Sequence, residues 1–255
     1  MSDDAAAVTK LPARRKSALL ADGSYLFEDE LSGGSIDGIV ITCAAWLLEL
    51  FVLTSGQIVF KVGEKKLRPG TNCFGVLYPP FAMCHLLFED PQGSLTGIAA
   101  SESLPAEFVG SPIVFDAKLP VAPTSAKDAI AILRAASNRQ SVDLNPNASL
   151  LSIKAKKLID TNYLHYPAIA RIAERLGVSH PHLTRQFKND FGMSPNEYLR
   201  RLRVADAPLR LARGEEIINV SQEVGYNDLS RFYKQFRKTT NTSPGACKTL
   251  LRPDN

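Results

Sequence analysis

Short apolar runs separated by turn-forming residues dominate the chain between residues 36 and 100. The runs are rich in Val, Ile, Leu, Phe and Thr, and Ser-Gly, Pro-Gly and Pro-Pro stand between them. This pattern is typical of β-strands. Seven strands are expected, namely IDGIVIT, WLLELFVLT, QIVFKVG, KKLR, TNCFGVLY, MCHLLFE and SLTGIAA. Their length and spacing favour a β-sandwich or a small barrel.

A helical period replaces the strand pattern after Ser125, which can cap the first helix. Apolar residues recur every three or four positions from Ala126 to Leu133, as on one face of an amphipathic helix. The polar segment SVDLNPNAS then marks a linker, and all later segments have helical patterns. The expected α+β multidomain layout is a flexible tail over 1–20, a β-rich domain over 21–140, a linker over 141–150 and an all-α domain over 151–255.

Charge divides along the same boundary. Residues 1–150 hold 12 Lys and Arg against 16 Asp and Glu, whereas residues 151–255 hold 18 against 10. An acidic front joined to a basic back favours two domains with different partners. Nucleic acid and an anionic membrane both suit a basic domain, and net charge alone does not choose between them.

Composition excludes other classes of protein. Of the 255 residues 45% are hydrophobic and 22% charged, as in globular domains. The longest strongly apolar stretch, Ile39–Leu48, is shorter than the roughly 20 residues that a membrane-spanning helix needs. The start MSDDAAAVTKLPARRK has acids where a signal peptide has bases. We therefore expect a cytoplasmic chain without a membrane partner.

Cysteines and histidines offer little for redox or metal chemistry. Cys43, Cys73, Cys84 and Cys247 show no C-x-x-C spacing, so we expect reduced buried thiols, with a sensor built from Cys73 and Cys84 as the alternative. Only His85 lies in the β-rich region, which excludes a three-histidine metal centre there. A phosphate-binding glycine loop and a nucleophile elbow are missing from the sequence. The sequence therefore predicts no enzyme, no catalytic residue, no metal site and no cofactor.

Aromatic residues of the β-rich region have two interpretations. They either fill the core of the sheet or line a small-molecule pocket, and the core is the favoured interpretation for each. These residues are Trp46, Phe51, Phe60, Phe74 and Tyr78.

An internal repeat lies in the basic domain. The first copy is IAERLGVSHPHLTRQFKNDFGMSP, and the second is VSQEVGYNDLSRFYKQFRKTTNTSP. Both contain a Gly, a polar capping residue, an Arg, a Phe followed by a base, and Ser-Pro, in the same order. Phe187 precedes Pro195 by eight residues, and Phe236 precedes Pro244 by the same number. The shared order indicates two copies of one supersecondary unit.

Each copy has the pattern of a short helix, a tight turn and a longer helix. In the first copy Gly177 permits the left-handed backbone that ends the short helix, and Ser179 can cap the next one. Leu183 and Phe187 lie four residues apart and are expected to be buried. In the second copy the corresponding residues are Gly225, Asn227 or Asp228 as the cap, and Phe232 and Phe236 as the buried pair.

Polar and basic residues follow another face of each longer helix. The first stripe is Pro181, Thr184, Arg185 and Lys188, and the second stripe is Ser230, Arg231, Lys234 and Lys238. An α-helix fits the major groove of DNA, where Arg donates a bidentate pair to guanine and Thr or Ser makes less selective contacts. Lys and helix N-termini hold phosphates and fix the register. The two stripes therefore predict double-stranded DNA as the partner.

The repeat resembles the DNA-binding domain of the AraC/XylS family of bacterial transcription regulators. The resemblance rests on IARIAERLGVSHPHLTRQFKNDFGMSPNEYLRRLRVADA and IINVSQEVGYNDLSRFYKQFRKTTNTSP, within about the last 100 residues. It implies a sequence-specific transcriptional regulator whose two recognition helices read adjacent major-groove segments. The implied units are helix-turn-helix 1 over about 168–192, a connecting helix over about 195–212 and helix-turn-helix 2 over about 217–240.

The resemblance also implies site residues. Base reading is carried over to Pro181, Thr184, Arg185, Ser230, Arg231 and Lys234. The remaining DNA-binding positions are His180, His182, Lys188, Asp228 and Lys238. Since Pro181 has no backbone N–H, its readout is apolar or through DNA shape.

Three departures from the family's usual pattern affect the expected helices. Pro208 lies inside the connecting helix and is expected to kink or shorten it. Asn241 stands where Gly is usual, although Asn tolerates the left-handed conformation. The residues Gly245, Ala246 and Cys247 replace bulkier ones after Ser-Pro, which predicts a weak last helix.

The β-rich domain resembles the cupin-like ligand-binding or dimerisation domain of many family members. The resemblance rests on the segment GQIVFKVGEKKLRPGTNCFGVLYPP. This implies a small-molecule or protein effector, a homodimer, and RNA polymerase as a partner. Two other functions stay open. One is a nonspecific architectural DNA binder, which steep salt dependence with little sequence preference would indicate. The other is a small-molecule-binding cupin-like enzyme, against which the missing metal ligands and nucleophile count.

Overall fold

A computed structural model describes most of the chain as an antiparallel sheet followed by a helical domain. The described residues are 14–34, 36–62, 65–101, 103–108, 112–117, 122–141, 147–165, 168–240 and 243–250. The strands are β1 Arg14–Leu19, β2 Tyr25–Ser32, β3 Ile36–Ile41, β4 Trp46–Val62, β5 Lys65–Leu67, β6 Cys73–Tyr78, β7 Met83–Ala100, β8 Ile113–Asp116 and β9 Ser137–Ser141. The helices are α1 Ala126–Ala135, α2 Leu150–Asn162, α3 Ile169–Arg175, α4 His180–Phe191, α5 Pro195–Ala212, α6 Ile217–Glu223, α7 Leu229–Thr240 and α8 Pro244–Leu250. Short 3-10 turns are formed by Ala106–Phe108 and Tyr163–His165.

The strands form one sheet in the order β1-β2-β7-β4-β6-β8-β9, and β3 also pairs with β7 and β5 with β4. Every pairing among them is antiparallel. The long central strands β4 and β7 correct the prediction of seven short strands. Two predicted strands, WLLELFVLT and QIVFKVG, are joined in β4, and MCHLLFE and SLTGIAA are joined in β7.

The expected turns at these junctions are bends within paired strands. The register between β4 and β7 shifts twice between Leu53 and Gln57. Gly56 has φ of +75°, and a Cβ atom there would lie 2.0 Å from the carbonyl oxygen of Asp90 on β7. A residue without a side chain therefore lets the two strands stay paired through the bend.

The flexible tail predicted over residues 1–20 is wrong for its last part. Residues Arg14–Leu19 form β1 and pair with β2, so that Ser17 lies opposite Phe27. Residues 1–13 lie outside the described part of the chain. The sequence did not predict this pairing, because three consecutive acidic residues interrupt the apolar pattern of the partner strand β2.

The aromatic residues of the β-rich domain fill its core. Trp46, Phe51, Phe60, Phe74 and Tyr78 are each at most 1% exposed. The rings of Phe51 and Phe74 stack with centroids 4.9 Å apart, which joins β4 to β6. The favoured interpretation of these residues is therefore confirmed.

The connecting helix α5 is the centre of the helical domain. Twelve of its residues are buried, including Tyr198 and Leu202. The helix continues through Pro208 to Ala212, so the expectation that Pro208 shortens it is wrong. Proline removes the hydrogen bond that would reach the carbonyl group of Val204. Burial of the apolar residues on both sides of Pro208 outweighs this local loss.

The last helix, α8, is present despite its small residues. Cys247 is buried, and Lys248 makes a 2.7 Å ion pair with Glu216, just before α6. The ion pair and the buried thiol fasten α8 to the rest of the helical domain. Asn241 lies outside the described residues.

Five residues where the β-rich and helical domains meet form what we call the domain contact: Cys43, Phe81, Lys156, Tyr163 and Asp206. The Lys156 ammonium donates a 2.7 Å hydrogen bond to the Phe81 carbonyl oxygen, and the Phe81 and Tyr163 rings meet edge to face at 6.0 Å. Burial raises the pKa of the Cys43 thiol to about 12, and the nearby Asp206 carboxylate adds to the rise. Cys43 is therefore an inert thiol within the contact.

The alternative of a thiol sensor concerned Cys73 and Cys84. Partial burial raises the pKa of the Cys73 thiol, which disfavours the reactive thiolate. The side chains of Cys84 and His85 lie outside the described part of the structure.

Candidate nucleic-acid interface

The first helix pair consists of α3 and α4 and has a tight turn fixed by local hydrogen bonds. Gly177 has φ of +71°, and the Val178 amide donates a 3.0 Å bond to the Ala173 carbonyl oxygen. With the 2.9 Å bond from the Gly177 amide to the Glu174 carbonyl oxygen, this is the Schellman motif that commonly ends a helix. The Ser179 side chain then accepts a hydrogen bond from the His182 amide, which caps α4 as predicted. The turn and the cap fix the direction in which α4 leaves α3.

Phenylalanine packing anchors α4 to the core. Leu183 and Phe187 are fully buried, as their spacing predicts. The Phe187 ring contacts the rings of Phe191 at 4.6 Å and of Tyr198 at 5.9 Å. Because Tyr198 lies on α5, this cluster holds α4 against the connecting helix.

The second helix pair, α6 and α7, repeats this construction. Gly225 has φ of +85° at the end of α6. Of the two predicted capping residues Asp228 accepts hydrogen bonds from the amides of Ser230 and Arg231, at 2.8 and 3.2 Å. Phe232 and Phe236 are fully buried. The structure thus gives Asp228 a capping role at the start of α7.

The sequence-predicted site residues lie on the outer surfaces of α4 and α7. In and around the first stripe His180, Pro181, His182, Arg185 and Lys188 are exposed, and Thr184 is half-buried. In and around the second stripe Asp228, Ser230, Arg231, Lys234 and Lys238 are exposed. Each helix therefore presents basic side chains outward while its phenylalanines face inward.

Arg231 is 84% exposed, and its Nε atom lies 3.5 Å from the Asp228 carboxylate. Such a solvent-exposed pair contributes little to stability. It restrains the guanidinium only weakly, so the group is free to exchange this carboxylate for a base or a phosphate.

Thr184 differs from the other members of its stripe. Its hydroxyl oxygen is covered and has no hydrogen-bond partner among the described residues, while the residue as a whole is half-buried. The surface that Thr184 offers is therefore its hydrocarbon part. This orientation depends on a side-chain torsion, which spacing along the chain does not reveal.

One basic residue beside the second stripe was not predicted from the sequence. Arg237 is exposed in the last turn of α7 and follows Ser230 by seven residues, which places the two on the same side of the helix. The i, i+3 spacing from Lys234 was the signal that could have identified it.

The described parts of the chain contain neither a candidate metal-binding cluster nor a membrane-spanning helix. No cluster of three or more His, Cys, Asp or Glu side chains suited to a metal ion occurs within them. Likewise, no helix described here is both long enough and apolar enough to span a membrane.

Known proteins with similar sequences align with the helical domain of this chain. A family model described as a helix-turn-helix domain matches residues 172–249. The lactose operon transcription activator of Staphylococcus xylosus is 34% identical over 85 residues, which are 33% of this chain and 30% of that protein. The HTH-type transcriptional activator RhaS of Pectobacterium carotovorum is 32% identical over 87 residues, which are 34% of this chain and 31% of that protein. The chain thus aligns with less than a third of the length of these curated relatives.

One solved structure extends the likeness of fold to both domains. ToxT from Vibrio cholerae, with an unsaturated fatty acid bound, superposes with a TM-score of 0.54 over 94% of this chain and 98% of that one, at 12% identity. Residues 172–249 of the helical domain match the helix-turn-helix class, and the curated relatives that align with the chain are transcription activators. The matched region is thus similar to the corresponding regions of these transcription activators, in line with the resemblance to the AraC/XylS family that the repeat implies.

Proposed function

We propose that the chain is a sequence-specific transcriptional regulator in which α4 and α7 occupy adjacent major-groove segments on one face of double-stranded DNA. The observation that carries the proposal is that both helices have a buried inner face and a basic outer face. Each buries its phenylalanines completely and presents exposed basic residues on its outer side. Both helix pairs act as helix-turn-helix units, and the dimensions of an α-helix suit the major groove.

The exposed residues divide into two roles. Arg185 and Arg231 carry planar guanidinium groups that pair with guanine, and Ser230 and Lys234 assist on α7. Lys188 and Lys238 lie later on their helices and hold phosphates. Around the start of α4 the side chains of His180, Pro181 and His182 are exposed, where backbone amides favour a phosphate.

The experiment that tests this function starts from a random library of 30-base-pair duplexes. The full-length protein should enrich one bipartite sequence, whose two segments lie about one helical turn apart. Binding to the enriched duplex should exceed binding to a scrambled duplex by a factor of at least about 10³. Failure to enrich any sequence, together with steep salt dependence, would favour an architectural DNA binder.

Thr184→Val and Thr184→Ser separate a methyl contact from a hydroxyl contact. Because the hydroxyl of Thr184 is covered, its methyl group is expected to meet an apolar base edge such as the thymine methyl. Thr184→Val should bind the enriched duplex within about twofold of wild type, and Thr184→Ser should lose about 1 kcal/mol. Fluorescence anisotropy titration measures both, and the reverse order of affinities would show that the hydroxyl is read.

In the same proposal the β-rich domain is a cupin-like sensory and dimerisation domain. ToxT shares its fold and binds an unsaturated fatty acid, which supports effector binding as a general role of this fold. Effector binding changes the domain contact and thereby shifts the position of the helix pairs. A second copy of the chain and RNA polymerase complete the set of partners.

Hydrogen bonds within the domain contact connect the β-rich domain to helices α2 and α5. Phe81 has φ of +60°, an uncommon conformation for an aromatic residue. Its carbonyl oxygen accepts a hydrogen bond from the Lys156 ammonium. Lys156 also pairs with Asp160 at 2.8 Å, and Asp160 accepts a 2.7 Å hydrogen bond from the Tyr198 hydroxyl. A movement of the Phe81 turn would therefore reach α2 and α5 through one ammonium group.

Lys156→Met is expected to lower the free energy of unfolding of the full chain by about 1–2 kcal/mol, because it removes a charged donor from a half-buried network. Urea unfolding followed by circular dichroism measures the change. Lys157→Met is the matched control, since Lys157 is exposed on the same helix and should change stability by less than about 0.5 kcal/mol. Equal effects of the two substitutions would show that the Lys156 bonds contribute nothing.

A further inference from the structure

Arg203 is a buried cation in the middle of the connecting helix. The residue is only 7% exposed. Its Nε atom donates a 2.7 Å hydrogen bond to the Tyr163 carbonyl oxygen, and its Nη1 atom donates a 3.2 Å bond to the Gly225 carbonyl oxygen. Burying a guanidinium is costly unless hydrogen bonds satisfy it, so these bonds are a specific requirement of this fold.

The two carbonyl groups belong to different parts of the domain. Tyr163 follows α2, which packs on the first helix pair, and Gly225 lies in the turn of the second helix pair. Both carbonyls stand just beyond the carboxyl end of a helix, where backbone acceptors lack helical partners and carry partial negative charge. Arg203 therefore satisfies the ends of α2 and α6 at the same time.

The turn of the second helix pair is shaped around this guanidinium. A Cβ atom on Gly225 would lie 2.8 Å from Cζ and 2.9 Å from Nε of Arg203. Gly177, the corresponding residue of the first pair, has a similar φ of +71° but nothing within 4 Å of its Cβ position. The first turn thus requires glycine for its backbone conformation alone, whereas the second also requires it for the space that Arg203 fills.

We propose that Arg203 is a positioning residue that sets the placement of the second helix pair relative to the first. Through it, α5 fixes the distance and angle between the recognition helices α4 and α7. This inference rests on the proposed function, because it concerns how two helices engage one duplex together. Arg203 itself is buried and does not touch DNA.

Loss of the Arg203 bonds is expected to weaken only the simultaneous binding of both recognition helices to one duplex. Two rigidly linked modules can gain roughly 10²–10⁴-fold in affinity over either one alone, and they lose this gain when their geometry does not match the sites. A protein without the Arg203 bonds should keep the base preference of each recognition helix. It should lose much of the advantage of the bipartite site over a single segment.

Arg203→Met tests this in the full-length protein. The probes are the enriched bipartite duplex and two derivatives in which one segment or the other is scrambled. The ratio of bipartite to single-segment affinity should fall about tenfold, while single-segment affinities stay within about twofold of wild type. Arg200→Met is the matched control: Arg200 has a side chain that is 48% exposed, on the same helix, and should leave the ratio unchanged.

An unchanged ratio in folded Arg203→Met protein would overturn the proposal, and so would an equal loss on all three duplexes. If Arg203→Met does not fold, Gly225→Ala takes its place, since this change displaces the guanidinium while keeping it in the protein. Gly177→Ala imposes similar backbone strain without touching Arg203. The ratio should fall at least about fivefold further in Gly225→Ala than in Gly177→Ala, and equal ratios would refute the positioning role.

Failure of this proposal is distinguishable from failure of the proposed function. If the wild-type protein enriches no bipartite duplex, the proposed function itself fails and the positioning role falls with it. If enrichment succeeds and the ratio does not respond to Arg203, only the positioning role fails.

Discussion

Phe187→Ala is expected to lower the free energy of unfolding of the helical domain by about 3–5 kcal/mol. Phe187 is fully buried and joins α4 to α5 through its contact with the Tyr198 ring at 5.9 Å. Truncation removes the buried ring and leaves a cavity between α4 and α5, which adds to the cost of the lost apolar contact. Circular dichroism during urea unfolding of the full-length protein measures the loss.

Lys188→Ala is the matched control for this change, because Lys188 is the next residue on α4 and is exposed. It should alter stability by less than about 0.5 kcal/mol. Phe232→Ala, at a fully buried position of α7, should be as costly as Phe187→Ala if the two helix pairs are structural repeats. A loss of less than about 1 kcal/mol for Phe187→Ala would contradict the anchoring of α4 by this ring.

The ends of the helices were predictable because their signals are local. Gly177 and Gly225 have the left-handed backbone that glycine makes accessible, and Ser179 caps α4 within three residues of its own position. Such interactions depend on a few neighbours in the sequence. The buried faces were predictable for the same reason, since helical periodicity places Phe187 and Phe236 inward.

The sheet was harder to predict because strand partners are distant in the sequence. Strand β9 consists of SNRQS, all exposed, and it exists by pairing with β8. Its composition alone does not favour a strand. The bend at Gly56 depends on the approach of Asp90 from β7, and a Ser-Gly pair in isolation indicates a turn.

The details of the candidate interface divide in the same way. The exposed stripes follow from spacing, which identified Arg185 and Arg231 as outward residues. The covered hydroxyl of Thr184 and the two carbonyl partners of Arg203 depend on tertiary packing. Pro208 shows the opposite error, because the local rule predicted a kink or a shorter helix, and the packing of α5 kept its full length to Ala212.

Arg185→Ala and Arg231→Ala are each expected to cost about 1–3 kcal/mol of binding to the enriched duplex, since under the proposed function each removes a bidentate donor to a base. Both residues are exposed on helices whose inner faces are fixed by buried phenylalanines. Removing either guanidinium should therefore leave the fold intact. Affinities for the enriched and scrambled duplexes, measured by anisotropy titration, separate specific from nonspecific loss.

The pattern of relaxed base preference provides the sharper result. Arg185→Ala should relax selection within one segment of the bipartite site, and Arg231→Ala should relax it within the other, because the proposed complex places α4 and α7 in different groove segments. Lys188→Ala should instead weaken enriched and scrambled duplexes alike and make the salt slope shallower by about one unit, as the loss of a phosphate contact does. If both arginine variants lost equal affinity on all duplexes, the two guanidinium groups would be phosphate contacts, and base recognition would have to come from the remaining exposed residues of α4 and α7.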